Sequence, residues 1–216
     1  MSRRFLGSTM RVLGAIDASA KRVYNSLEEF RYATFEIGGV LYKMIASGDL
    51  FKKEEYDSEW VEVKPRWCKK GIYPEVTISG VPIKLYILAL TLSDSKFYEN
   101  YMSDSNLVVN HTVESNDKVY DGYKCFSCPL RMVAYNPKYL ELVTISQNNK
   151  HGAFVSRYGL TGVFVSAKDI DDLSKLMVDP QGYGSNDRDS IIEANKGLVV
   201  DFYRSKGYDF DLILEV

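Results

Sequence analysis

Leu107-Val108-Val109-Asn110-His111, and further on Asn136-Pro137-Lys138-Tyr139-Leu140-Glu141-Leu142-Val143-Thr144-Ile145-Ser146-Gln147-Asn148-Asn149-Lys150-His151-Gly152, are the residues on which the reading of this chain turns. The apolar, β-branched runs at 107–109 and 140–143 have the length and composition of short paired strands. Thr144 then stands where a helix N-cap belongs, with Gln147 three residues on, the spacing of a capping box. On a helix beginning at Ile145, Asn148 and His151 fall on one face. The chain has 2 histidines, and both lie in this window beside asparagines. Histidine is the side chain that exchanges protons near neutrality, so acid–base and ligand chemistry is concentrated here.

This pattern resembles the HNH, or ββα-metal, endonucleases, in particular the phage and intron homing type. The likeness rests on Val109-Asn110-His111, on Asn136-Pro137 followed by Leu140-Glu141-Leu142-Val143-Thr144, and on Asn148 with His151. It implies that His111 is the general base that takes a proton from water. Asn110 and Asn148 take the metal positions, and His151 is a second candidate ligand. Asn136 is the central asparagine that braces the loop and orients the base. The ion expected is Mg²⁺, with Mn²⁺ as a substitute, stabilising charge on the phosphate and the leaving oxygen. The substrate implied is double-stranded DNA, cut or nicked.

The chain departs from the family in places. The usual Asp-Gly after the first histidine is replaced by Thr112-Val113-Glu114-Ser115-Asn116-Asp117, and the span from His111 to Asn136 is long. Tyr139 stands where many members have Asn or His. Neither asparagine is charged, although hard divalent cations prefer carboxylates; Glu114 or Asp117 is positioned in sequence to supply one. Residue types alone also admit plainer readings: Asn-Pro is a common turn, and Asn110-His111-Thr112 matches a glycosylation sequon. The alternative function is an HNH-derived scaffold without catalysis, serving DNA binding or virion assembly.

At 216 residues the chain suits one large core or two small domains. No apolar run approaches membrane-spanning length, and Arg11, Asp17 and Lys21 interrupt the apolar N-terminal region where a signal peptide would need an unbroken core. Three cysteines argue for a reducing compartment, the cytoplasm, or that of a host if the chain is phage-encoded. Cys125-Phe126-Ser127-Cys128 offers one thiolate pair, and with only Cys68 besides, a four-thiolate site cannot form; a structural zinc is not expected. A net charge of −2 weighs against bulk coating of DNA. A local basic turn, Lys64, Arg66, Trp67, Lys69 and Lys70, is the candidate for DNA-backbone contact.

The expected fold class is α+β: antiparallel hairpins packed on helices, a ββα-metal module, and a helical C-terminal region. The expected division is 1–104, a helix with a small sheet; 105–158, the module; and 159–216, helical. Asp17 to about Tyr32 reads as a helix through Ala20, Val23, Tyr24, Leu27 and Phe30. Gly38-Gly39 between Phe35-Glu36-Ile37 and Val40-Leu41-Tyr42 reads as a two-residue hairpin. Strands are expected at 60–64 and 75–78, an apolar helix at 85–92 with Leu85, Leu88 and Leu92 in the core, and a short helix at 93–101. Ser166 is read as the cap of a helix to about Met177. Residues 179–185 look like a linker, 187–206 a long helix ended by Gly207, and 210–216 an apolar strand or tail.

Overall fold

The computed structural model describes residues 3–26, 28–54, 58–67, 73–114 and 134–209. They form an α+β arrangement with antiparallel sheets, divided into two compact units. Among the described residues the first unit holds those up to Ser105 together with 134–140, and the second holds 106–114 and 141–209.

The first unit opens with helix α1 (Arg3–Ser19), then β1 (Lys21–Tyr24), β2 (Phe30–Ile37), β3 (Val40–Ile45), β4 (Leu50–Lys53) and β5 (Val61–Glu62), hydrogen-bonded in that order as one sheet. Gly38 and Gly39 take φ +60° and +78°, the left-handed pair that a two-residue hairpin demands, so Ile37 pairs directly with Val40. Along β2 and β3, Ala33, Phe35, Tyr42 and Met44 alternate into the core. A second sheet joins β6 (Arg66–Trp67), β7 (Pro74–Ile78) and β8 (Val81–Lys84). Helix α2 (Leu85–Ser93) follows β8 without a loop and buries Leu85, Leu88 and Leu92 together with Ile87, Ala89 and Leu90. That all-round apolar surface makes α2 the centre of the unit, packed by α1, β2, β7, β8 and the short helix α3 (Phe97–Ser103).

The segment 17–32 is not the helix expected. Helix α1 ends at Ser19, and Lys21–Tyr24 pairs with β2 instead. Asp17 caps nothing at a helix start; it is ion-paired with Arg22, whose guanidinium also donates to the main-chain oxygens of Thr91 and Leu92. Sheet pairing and that anchorage outweigh an apolar spacing that fits a helix equally well.

The second unit is built on β9 (Leu107–His111) paired with β10 (Leu140–Thr144), whose first residue belongs to the first unit. Helix α4 (Ile145–Tyr158) leaves β10 directly. Thr144 Oγ1 accepts from the Gln147 N–H at 3.2 Å while Gln147 Oε1 accepts from the Thr144 N–H at 2.9 Å, the expected capping box. Gly159 ends α4 in the left-handed region at φ +69°. Val113 bridges to Phe164, so the line of β9 continues into the segment 163–167. Helix α5 is short (Ile170–Leu173), and helix α6 (Ser185–Ser205) closes the unit through Val199, Val200 and Tyr203.

The helix expected from Ser166 is therefore reduced to Ile170–Leu173. Ser166 spends its hydroxyl on Glu141, 2.8 Å away, and on the Lys168 N–H. Residues 179–185 are not a free linker either. Arg157 pairs with Asp179, and the Asn195 amide makes both main-chain hydrogen bonds to Val178, at 3.0 and 2.8 Å. The Asp179 carboxyl is held below its usual range by the Gln181 N–H it accepts and then by Arg157. Residues 210–216 lie outside the described residues.

Candidate functional site

Polar side chains are unusual inside a small core unless their hydrogen bonds are met. Among its described residues the second unit buries six of them: Asn110, His111, Thr112, His151, Ser166 and Asn195. Three are consecutive at the end of β9. The remaining site residue of the helix, Asn148, is half-buried one turn before His151, on the helix that packs against β9. The structure thus brings Asn110, His111, Asn148 and His151 into one unit of strand, strand and helix.

Each side chain has a definite setting. Asn110, 1 % exposed, donates its amide Nδ2 to Glu141 Oε1 at 2.8 Å. Since Nδ2 faces the carboxylate, Oδ1 is turned away from it and stays an acceptor. His111 keeps 7 % of its surface exposed. His151 is fully buried, and its Nε2 lies 2.8 Å from the main-chain oxygen of Val165. A carbonyl only accepts, so Nε2 carries the proton and Nδ1 holds a lone pair in the neutral ring. That Nδ1 has no hydrogen-bond partner among the described residues, and Glu114 Oε1 stands 3.5 Å from it, too far for a good hydrogen bond. The Glu114 side chain is half-exposed, so the lone pair and the carboxylate form a place at the edge of the core where a cation would fit.

The same network includes a motif residue to which the sequence assigned no role. Glu141 is the one charged side chain in the apolar run of β10, and its carboxylate accepts three hydrogen bonds: from Asn110 Nδ2, from the Ala167 N–H at 2.7 Å, and from Ser166 Oγ at 2.8 Å. A glutamate interrupting Leu140-Leu142-Val143 was the available signal. Tyr203 completes the scaffold. Its hydroxyl accepts from the Ser166 N–H at 2.7 Å, and burial pushes the phenol far above its usual value.

Asn136, Lys64, Arg66 and Trp67 lie in the first unit. Asn136 is buried there and caps a 3₁₀ turn, Pro137–Tyr139, accepting from the Lys138 N–H at 3.0 Å. It braces its own loop; its orienting role toward His111 remains an expectation. Lys64 and Arg66 are exposed, with Arg66 3.9 Å from Glu75, which also pairs with Lys84 at 2.8 Å. Trp67 lies on β6, and Lys69, Lys70, Cys68, Cys125, Cys128 and Asp117 are outside the described residues. A further basic and aromatic cluster was not foreseen. Lys43 Nζ sits 5.0 Å from the Tyr32 ring centre and 5.8 Å from that of Trp60, and Lys53 Nζ 5.2 Å from Trp60.

The donor types present in this unit suit a hard divalent ion in kind. Glu114 supplies an anionic oxygen, His151 Nδ1 an available lone pair, and Asn110 and Asn148 amide oxygens. Among the described residues no three His, Cys, Asp or Glu side chains stand together at metal-binding spacing, so amide oxygens and water would complete such a shell. Among them, too, no helix is long and apolar enough to cross a membrane. No family model, curated protein or solved structure matches the chain.

Proposed function

We propose that this protein is a metal-dependent DNA endonuclease of the HNH type, with its centre in the second unit. The observation that supports this most is the buried lone pair of His151 Nδ1 facing Glu114 on the helix that follows the β9–β10 pair, with Asn110-His111 at the end of β9. Asn110, Asn148, His151 and Glu114 would hold the ion, Mg²⁺ or Mn²⁺, which when bound offsets charge developing on a phosphate. His111 takes the proton from the attacking water. Its low exposure keeps the base in a site of low dielectric. Asn136 holds its turn rigid before β10. Lys64, Arg66, Trp67, Lys69 and Lys70 contact the DNA backbone, with Lys43, Lys53 and Trp60 as further contacts.

A second reading is a scaffold that keeps the ββα pattern for binding without turnover. The burial of Asn110, its Nδ2 held by Glu141, and the uncharged asparagines favour it. Supercoiled and linear DNAs of phage and host origin, incubated with the purified chain in Mg²⁺ and in chelator, separate the two. Nicks or breaks that appear only with the metal support the nuclease; retention of DNA in a gel shift with no cleavage in either condition supports the binding scaffold.

A further inference from the structure

We propose that Glu141 is the positioning residue of this centre, and that it dictates an amide rather than an acid at position 110. The inference rests on the nuclease reading for its cation, but the pairing itself is argued from hydrogen-bond polarity alone. A carboxylate is acceptor-only when ionised. Glu141 Oε1 lies 2.8 Å from Asn110 Nδ2, so an aspartate at 110 would set two acceptors against each other in a site where Asn110 is 1 % exposed. An asparagine resolves this in one orientation only. Nδ2 must meet Glu141, and Oδ1 is thereby turned away from it, as the ligand oxygen.

The same carboxylate reaches the second ligand through the main chain. Glu141 holds Ser166 and Ala167, at 2.8 and 2.7 Å. The adjacent Val165 gives its N–H to the Thr112 oxygen at 2.7 Å and its own oxygen to His151 Nε2. Anchoring 165–167 therefore keeps the Val165 carbonyl on Nε2 and the lone pair on Nδ1. Outer groups that orient ligands in this way commonly change metal affinity by about 10- to 100-fold when removed.

The test is a double-mutant cycle on the full chain, read by thermal unfolding and by calorimetric Mn²⁺ titration. N110D places two acceptors in contact and lowers the melting temperature. E141Q in that background removes one of the two facing negative charges, although its Oε1 must still accept from the Ala167 N–H, so N110D/E141Q recovers part of the loss. The pair also binds Mn²⁺ about 10-fold more tightly than wild type, an anionic oxygen having replaced an amide oxygen. Additive losses in the double variant, or a pair that stays unfolded, overturn the inference. Rescue of melting with no Mn²⁺ binding by wild type at millimolar ion leaves the pairing standing and overturns the nuclease reading.

Discussion

His151 and Val165, fourteen positions apart in sequence, are joined by a 2.8 Å contact between the imidazole Nε2 and the main-chain oxygen. That one bond fixes the tautomer of a fully buried ring and points its free lone pair at Glu114. Replacing the ring by alanine opens a cavity and leaves the Val165 oxygen unpaired. His151→Ala is expected to cost about 3 kcal/mol of unfolding free energy, measured by urea titration, and to abolish Mn²⁺ binding. A variant as stable as wild type would mean that the bond holds nothing.

The Tyr203 hydroxyl does similar work from the other side by accepting the Ser166 N–H. Tyr203→Phe keeps the aromatic packing on Phe164 and removes the hydroxyl that accepts from Ser166 and bonds Asp169. The expected loss is about 1–3 kcal/mol, the cost of stranding a buried N–H, in the same denaturant experiment.

Gly159 ends α4 with φ +69°, and a Cβ there would come within 2.7 Å of the Ile192 side chain. Gly159→Ala meets both a backbone penalty and a clash with α6. It is expected to lose about 1–3 kcal/mol, with the helices refitting at the expense of Ile192. Thermal unfolding checks it, and Gly182→Ala, where φ is +94° but open space surrounds the Cβ, serves as the comparison with backbone strain alone.

Burial, then Tyr101 and Glu75, push the Tyr86 phenol up to about 12. A proton held more tightly in the folded state than in the unfolded one stabilises the fold fully below the unfolded value, near 10, and is lost as pH rises through the folded one. Stability is therefore expected to fall between about pH 10 and 12, and to fall less in Tyr86→Phe. Equal alkaline slopes in the two chains would contradict the assignment.

Local signals carried much of the fold. The Gly38-Gly39 turn, the Thr144–Gln147 capping box and the apolar helix α2 each have a cause contained within a few residues, and each stands where the sequence put it. Two segments failed for the opposite reason. Lys21–Tyr24 became a strand through pairing with residues 30–34 and through Arg22 reaching the carbonyls of Thr91 and Leu92. Ser166 did not cap a helix because Glu141, twenty-five positions earlier, claims its hydroxyl. The candidate site divides in the same way. Strand and helix spacing put Asn110, His111, Asn148 and His151 on β9 and α4, their roles coming from the resemblance alone, whereas the hydrogen bonds of Glu141 and the service of Val165 to His151 depend on partners brought together only by the folded chain.

The central proposal rests on His111 as the base of a metal-dependent nuclease, and one comparison bears on it most directly. Wild type and His111→Ala are assayed side by side for Mg²⁺-dependent cleavage of a DNA that wild type cuts, with binding followed by gel shift. The expected result is a fall in turnover of about 10²- to 10⁴-fold with DNA binding retained. Equal cleavage by the two proteins would contradict the account.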